Sequence, residues 1–114
     1  MFSNLSFSQL GGEDEVYLGG EFIEAKFQNG GIDKFYDYII ANFDTQTVEK
    51  KGQIVFEFTV NENGEVKNIT VVRDLGSNSA IELIRVLRKA PKWQPASRGG
   101  KPVSINLKMP LTFK

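Results

Sequence analysis

The side chains that most often perform catalysis are missing from this chain of 114 residues, which contains neither histidine nor cysteine. Histidine is the commonest general base and the commonest metal ligand. The best remaining candidates for acid–base chemistry are the carboxylates Glu57 and Glu65, which lie beside a predicted hairpin and could approach each other. Without a nucleophile or a phosphate loop they are more simply outward-facing polar positions. We therefore expect no catalytic residue, no metal site, no cofactor and no enzyme activity.

Charge is distributed unequally along the chain, although the formal net charge is zero. Residues 1–50 carry nine acidic and three basic side chains, whereas residues 51–114 carry five acidic and eleven basic ones. Zero net charge argues against nucleic-acid binding by phosphate neutralisation. The basic second half indicates either a solvated surface or a patch for an anionic partner. The residues of that candidate patch are Arg85, Arg88, Lys89 and Arg98.

Apolar residues at helical spacing predict two helices. The first stripe, which we take entirely as core, consists of Ile32, Phe35, Tyr36, Ile39, Ile40 and Phe43. The second helix is predicted to begin at a capping box of Ser79 and Glu82, with Glu82 facing water, and to stop before Pro91. Its buried stripe is expected to be Ala80, Leu83, Ile84, Leu87 and Ala90. Trp93, the only tryptophan, is expected to cover an end of the core.

Alternating apolar and polar residues predict three strands, each with one buried face. The strands are residues 52–60, 65–74 and 103–113. Asn63-Gly64 between the first two predicts a tight hairpin turn, because both residues tolerate positive φ. The second strand changes parity midway along its length, and this change predicts a bulge between Val66 and Ile69.

The last strand, residues 103–113, is expected at an open edge of the sheet. Pro110 cannot donate a ladder hydrogen bond, and Lys108 is typical of a guarded edge. The second helix returns the chain over one face, so the strand order should be 2-1-3. The predicted fold class is therefore α+β, with two layers: a three-stranded antiparallel sheet and two helices on one face.

The first 29 residues are expected to form a lead or arm ahead of a domain that spans residues 30–114. Residues 1–15 show no sustained period and indicate a flexible lead. Val16 to Phe27 could form a short hairpin or an extended arm on the domain. No apolar run approaches the roughly 18 residues that span a bilayer. Met1 could be a true start or could follow a removed signal or anchor.

The order and spacing of several segments resemble the C-terminal domain of TonB proteins. The resemblance covers about residues 30–113. Its segments are Gly52–Val60, Asn63–Val66, Val71–Gly76, Pro91–Ala96, Gly100–Val103 and Met109–Phe113.

This resemblance implies a TonB-like energy transducer: a periplasmic adaptor anchored to the inner membrane. In that family a short segment of an outer-membrane transporter, the TonB box, adds as a strand beside the last strand of the domain. The binding edge implied here consists of Val103, Ser104, Ile105, Asn106, Leu107, Lys108 and Met109.

The partners implied are a peptide of a TonB-dependent outer-membrane transporter and, through an N-terminal anchor, ExbB/ExbD. The same domain occurs in other envelope proteins, including membrane-anchored peptidase sensors. An interaction or sensor module with a different partner is therefore the alternative function. Pairing of the open edge with a second copy would give a weak homodimer.

Overall fold

A computed structural model describes residues 20–114 of this chain. The predicted flexible lead, and the part of the predicted hairpin or arm before residue 20, lie outside the described residues. The elements in chain order are β1 (Phe22–Ile23), α1 (Ile32–Asn42), a single 3-10 turn (Thr45–Thr47), β2 (Gly52–Val60), β3 (Val66–Arg73), α2 (Ser77–Arg88), β4 (Ala96–Arg98), β5 (Lys101–Val103) and β6 (Ile105–Phe113).

The main sheet is antiparallel and has β2 at its centre, in the order β3-β2-β6. The prediction numbered these three strands 1 to 3 in chain order, so the observed order is the predicted 2-1-3. Pairing between β2 and β6 is unbroken from Gly52 opposite Phe113 to Val60 opposite Ile105. Together with the two helices, this arrangement confirms the predicted α+β class.

One face of β2 and both helices contribute to a single core. The side chains of β2 that face this core are fully or almost fully buried, as the alternation predicts: Ile54, Phe56, Phe58 and Val60. Phe35 of α1 packs against Phe58, with ring centroids 5.2 Å apart. The Tyr38 hydroxyl of α1 donates to the carbonyl oxygen of Val86 in α2 at 3.1 Å.

The strand β3 contains the predicted bulge. Glu57 pairs with Thr70, and Thr59 pairs with Lys67. The single residue between them on β2, residue 58, therefore lies opposite two residues of β3, Asn68 and Ile69. Asn68 takes up the extra length in the left-handed region, at φ 54°, a conformation that asparagine tolerates better than most residues. A second register shift occurs where Val55 and Phe56 meet the end of β3.

A second, smaller sheet of order β1-β4-β5 was not predicted. It shortens the last strand, because Val103 pairs with Ala96 in this sheet and Ser104 lies between β5 and β6. The predicted run of residues 103–113 is therefore wrong as one strand. The break follows from geometry, since the chain must leave one sheet before it joins the other.

The two glycine turns also differ from the prediction. The predicted hairpin joins β2 to β3, and Gly64 has φ 81°, but Asn63 does not adopt the positive φ expected of it. Two other pairs have two positive φ values: Gln28-Asn29, at 51° and 66°, and Gly99-Gly100, at 58° and 82°, between β4 and β5. This is the geometry of a two-residue hairpin whose twist suits the flanking strands.

The N-terminal arm, residues 21–27, is extended and lies on the domain rather than forming a hairpin in its described part. Its backbone pairs with β4 and with Gln94, through Lys26. Phe27 at its end is fully buried, with ring centroids 4.9 Å from Phe35 and 5.5 Å from Trp93. Trp93 is buried, as predicted. The arm therefore contributes to the core.

Both helices differ in detail from the prediction. The helix α2 begins at Ser77 after Gly76, so Ser79 lies inside its first turn and its hydroxyl donates to the Gly76 carbonyl oxygen at 2.6 Å. Glu82 is buried rather than facing water. In α1, the central stripe is buried but Ile32 and Ile40 are exposed, because they flank the arc that meets the sheet. Within residues 20–114 no helix is long and apolar enough to cross a membrane.

Candidate functional site

The strand β6 has unpaired backbone groups on the side away from β2, which we call the open edge. The backbone N–H of Asn61, directly after β2, donates to the Glu65 carbonyl oxygen at 3.0 Å. Because backbone groups of successive strand residues point to opposite sides, odd-numbered residues of β2 form hydrogen bonds with β3 and even-numbered residues form them with β6. The β6 residues opposite odd-numbered β2 residues must then direct their backbone to the open edge. They are Asn106, Lys108, Pro110 and Thr112.

Pro110 fits this assignment. A proline has no N–H and is tolerated where the amide would face solvent. Pro110 pairs with Val55 without interrupting the register between β2 and β6. The open edge thus offers the amides of Asn106 and Lys108 on one side of Pro110 and that of Thr112 on the other.

Three of the four outward side chains of β6, those other than Pro110, contact a side chain of β2. The Thr59 hydroxyl lies 2.7 Å from the amide oxygen of Asn106, and Gln53 Nε2 lies 3.1 Å from the Thr112 hydroxyl. Lys108 Nζ lies 3.9 Å from a carboxylate oxygen of Glu57, and both side chains are exposed. These contacts run along the face of the sheet and leave the backbone groups of the open edge accessible.

The seven residues predicted for the binding edge have three different placements. Val103 belongs to β5, where its backbone faces Ala96, and Ser104 is an exposed residue between the two sheets. Ile105, Leu107 and Met109 belong to β6, but their backbone groups bond β2 and their side chains face the core. Only two residues of the predicted set direct both backbone groups of β6 to the open edge: Asn106 and Lys108.

The described part of the N-terminal arm pairs with β4 and leaves the open edge free. Phe22 lies opposite Arg98 and Ile23 opposite Ser97. Among residues 20–114, no strand other than β2 pairs with β6.

A groove of about 400 Å³ lies between the arm, the start of α1 and the first half of β6. We call it the edge groove. Its mainly apolar lining includes Phe22, Ala25, Ile32, Trp93, Ile105 and Leu107. The indole N–H of Trp93 has no hydrogen-bond partner among the described residues, although the side chain is almost fully buried. Sequence reasoning missed this groove because four separate segments form it.

The predicted basic patch is divided in the structure. Arg85 donates to Glu82 at 2.7 Å and to the Asn42 carbonyl oxygen at 3.1 Å. Arg98 lies in the small sheet, 5.0 Å from the centre of the Phe22 ring. Arg88 ends α2 and Lys89 follows it, and both are exposed.

The Glu82 carboxylate is an internal structural group. The hydrogen bond from Arg85 lowers the pKa of Glu82 most, burial opposes this, and the Asp44 amide at 2.8 Å lowers the pKa further. The pKa of Arg85 is raised chiefly by the same bond. Sequence alone offered one signal for this pair, the spacing i, i+3 on one helix face.

A second groove, of about 600 Å³, lies at the far end of β6, near Phe113. Ile40 and Tyr36 of α1 contribute to its lining, and Lys50 and Lys51 contribute positive charge. We call it the lysine groove. Among residues 20–114, no three acidic side chains are grouped so that they could hold a metal ion.

The sequence of this chain matches a known protein family. A family model described as "Gram-negative bacterial TonB protein C-terminal" matches residues 45–114, which is more than half of the chain. The matched part contains β2, β3, α2 and β6, and therefore the whole main sheet. The comparison with curated proteins finds no match.

Proposed function

Because this chain belongs to the family of TonB protein C-terminal domains, a family of protein-interaction domains, we propose that it is a periplasmic adaptor domain. It binds a short extended segment of an outer-membrane transporter, the TonB box, and transmits energy for uptake. The segment adds as a strand to the open edge of β6, by β-augmentation. The observation that supports this most is the pair of free backbone positions, Asn106 and Lys108, on a strand whose pairing with β2 is unbroken.

The open edge supports weak and reversible binding. Asn106 and Lys108 can each exchange two backbone hydrogen bonds with a peptide, and each bond contributes about 0.5 to 1.5 kcal/mol. Four such bonds give about 4 kcal/mol, which alone would correspond to a Kd near 1 mM. The entropy of ordering the peptide makes binding through these bonds weaker than that. Apolar side-chain contacts must supply any higher affinity. Easy release suits a domain that pulls on its partner.

Pro110 limits the length of the bound segment. Its missing N–H interrupts the row of donors on the open edge. A peptide that pairs with Asn106 and Lys108 therefore loses a hydrogen bond if it extends towards Thr112. We expect a footprint of four to five peptide residues, centred between Asn106 and Lys108.

The proposal includes the cellular setting of the family. The domain acts in the periplasm and is joined to an inner-membrane anchor through which ExbB/ExbD supply energy. Co-purification of these partners with the native protein from bacterial membranes tests this part separately from peptide binding.

The test of peptide binding is an NMR titration of the chain with N-terminal peptides of TonB-dependent transporters. The expected result is fast-exchange shifts of the Asn106 and Lys108 amides, with smaller shifts at Thr112. Amides of β3 serve as the internal control. Unchanged chemical shifts of the Asn106 and Lys108 amides at millimolar peptide would refute the proposal.

The alternative is an interaction or sensor module of another envelope protein, which binds an anionic partner through Arg88 and Lys89. The exposed charges of these two residues support it, whereas Arg85 already forms a hydrogen bond with Glu82. Binding that disappears at high salt but survives changes in β6 would favour this alternative. A weak homodimer through β6 would appear as a concentration-dependent mass in solution scattering.

A further inference from the structure

We propose that the edge groove receives one apolar side chain of the bound peptide, a proposal that rests on the strand addition proposed for β6. The groove thereby selects peptides that carry a residue of leucine to phenylalanine size at one position. This assigns a specificity role to Phe22 and Ile32.

The groove and the open edge are continuous, because both include Ile105, Asn106 and Leu107. Side chains of neighbouring residues on a strand point to opposite faces. Peptide residues opposite Asn106 and Lys108 therefore point outward with them, and the residue between them points to the core side, as Leu107 does. That core-side residue meets the groove.

The walls of the groove are apolar side chains that folding leaves exposed. Phe22 is 41% exposed and Ile32 is 43% exposed. Ala25 and Trp93 lie deeper and are almost fully buried. An apolar side chain that enters between these walls removes apolar surface from water on both partners, which is the main source of favourable free energy in association.

The arm and the start of α1 supply the part of the groove that the family match does not include. The match begins at residue 45, whereas Phe22, Ala25 and Ile32 precede it. The matched segment supplies the open edge, and the residues before it supply one wall beside that edge. Selectivity of this kind therefore depends on this chain's own arm and α1.

The experiment begins with a transporter peptide that shifts the Asn106 and Lys108 amides. Each position of this peptide is replaced in turn by Phe, Leu, Ala and Ser, and Kd is measured by fluorescence anisotropy. We expect one position at which Phe or Leu binds about tenfold more tightly than Ala, equivalent to about 1.4 kcal/mol. Its two neighbours should respond less than twofold.

Protein variants complete the experiment with matched controls. Phe22→Ala and Ile32→Ala should each remove most of the preference for Phe over Ala at the sensitive position. Ile23→Ala, in the same strand as Phe22 and 44% exposed, should retain it. Ile40→Ala, in the same helix as Ile32 and 41% exposed, should also retain it.

Three other outcomes overturn the inference. A peptide that shifts the edge amides but shows no sensitive position refutes the groove and leaves the proposed function intact. Equal effects of Phe22→Ala and Ile23→Ala on the preference for Phe over Ala also refute the groove and leave the proposed function intact. If no peptide shifts the edge amides, the proposed function fails, and the groove assignment fails with it.

Discussion

The main sheet has two edges, and they are built differently. The strand β3 carries two register shifts against β2, with Asn68 in the left-handed region at the first. The strand β6 pairs with β2 over nine consecutive residues without a shift. Both strands are eight or nine residues long and belong to the same sheet, so their difference does not come from length.

The irregular strand is the protected edge. Bulges twist a strand and disturb the row of donors and acceptors that another strand would need, and exposed charges such as Lys67 and Arg73 add to this protection. β6 has a single interruption, at Pro110, and keeps a regular stretch at Asn106 and Lys108. The contrast indicates that the longest regular stretch of open edge in this sheet is the half of β6 that contains Asn106 and Lys108.

The largest expected effect comes from Lys108→Pro, which removes the central donor of the open edge. The Lys108 amide faces away from β2, so a proline ring fits there as it does at Pro110. Peptide affinity should fall about thirtyfold, or about 2 kcal/mol, because the peptide carbonyl loses its bond and is left without a donor. Stability should change little. Calorimetry measures the first and urea unfolding the second. Thr112→Pro, beyond Pro110, is the control and should retain affinity.

Glu82→Gln should lower stability without changing either edge. The free energy of unfolding should fall by about 1.5 kcal/mol at pH 7, because the charge-assisted hydrogen bond from Arg85 is weakened. The pKa of folded Glu82 lies below its ordinary value of 4.5, so the carboxylate's contribution is complete above that pH and is lost as the pH falls through the folded pKa. Urea unfolding from pH 3 to 7 should therefore show a smaller acid-side decline in the variant.

That variant also separates stability from binding. Peptide affinity at pH 7 should stay within twofold of the wild-type value, because Glu82 lies in α2 and not at either edge of the sheet. A large loss of affinity would mean that the helical layer, and not the edge alone, determines binding.

Asn68→Val tests the bulge on the other edge. A β-branched residue in the left-handed region is strained by about 1 kcal/mol relative to asparagine, and the bond of about 3.4 Å from Asn68 to the Thr59 hydroxyl is lost. Thermal unfolding should show this loss. Thr70→Val, on the same strand, should change the free energy of unfolding by less than half as much. Equal values for the two variants would contradict the assigned role of the bulge.

The smallest effect is expected from Lys108→Ala. This change keeps the backbone amide and removes only an exposed ion pair with Glu57, and such pairs contribute about 0 to 1 kcal/mol. Peptide affinity should change less than twofold. A loss close to that of Lys108→Pro would show that charge, and not the backbone, binds the peptide.

The long elements could be predicted from the sequence because their patterns are local. Alternation in residues 52–60 predicted β2, the parity change after Val66 predicted the bulge, and helical spacing predicted α1 and α2. The small sheet could not be found in this way, because β4 and β5 have three residues each and β1 has two. Runs this short carry no measurable period.

The site was harder to predict than the fold. Pro110 correctly suggested an edge strand, and Asn106 and Lys108 lay within the predicted range. Val103 was assigned to the wrong sheet because its apolar side chain continues the alternation of β6. The groove depends on Phe22, Ile32 and Trp93, which meet only in the folded chain, although Gly99-Gly100 was a visible signal for the hairpin that organises that region.

The most direct test of the open edge is amide hydrogen exchange, followed by NMR with and without a transporter peptide. A peptide that adds to β6 should slow exchange of the Asn106 and Lys108 amides at least tenfold when the chain is saturated. Thr112 and the amides of β3 should exchange at unchanged rates. Protection of β3, or of Arg88 and Lys89, without protection of Asn106 and Lys108 would contradict strand addition at β6.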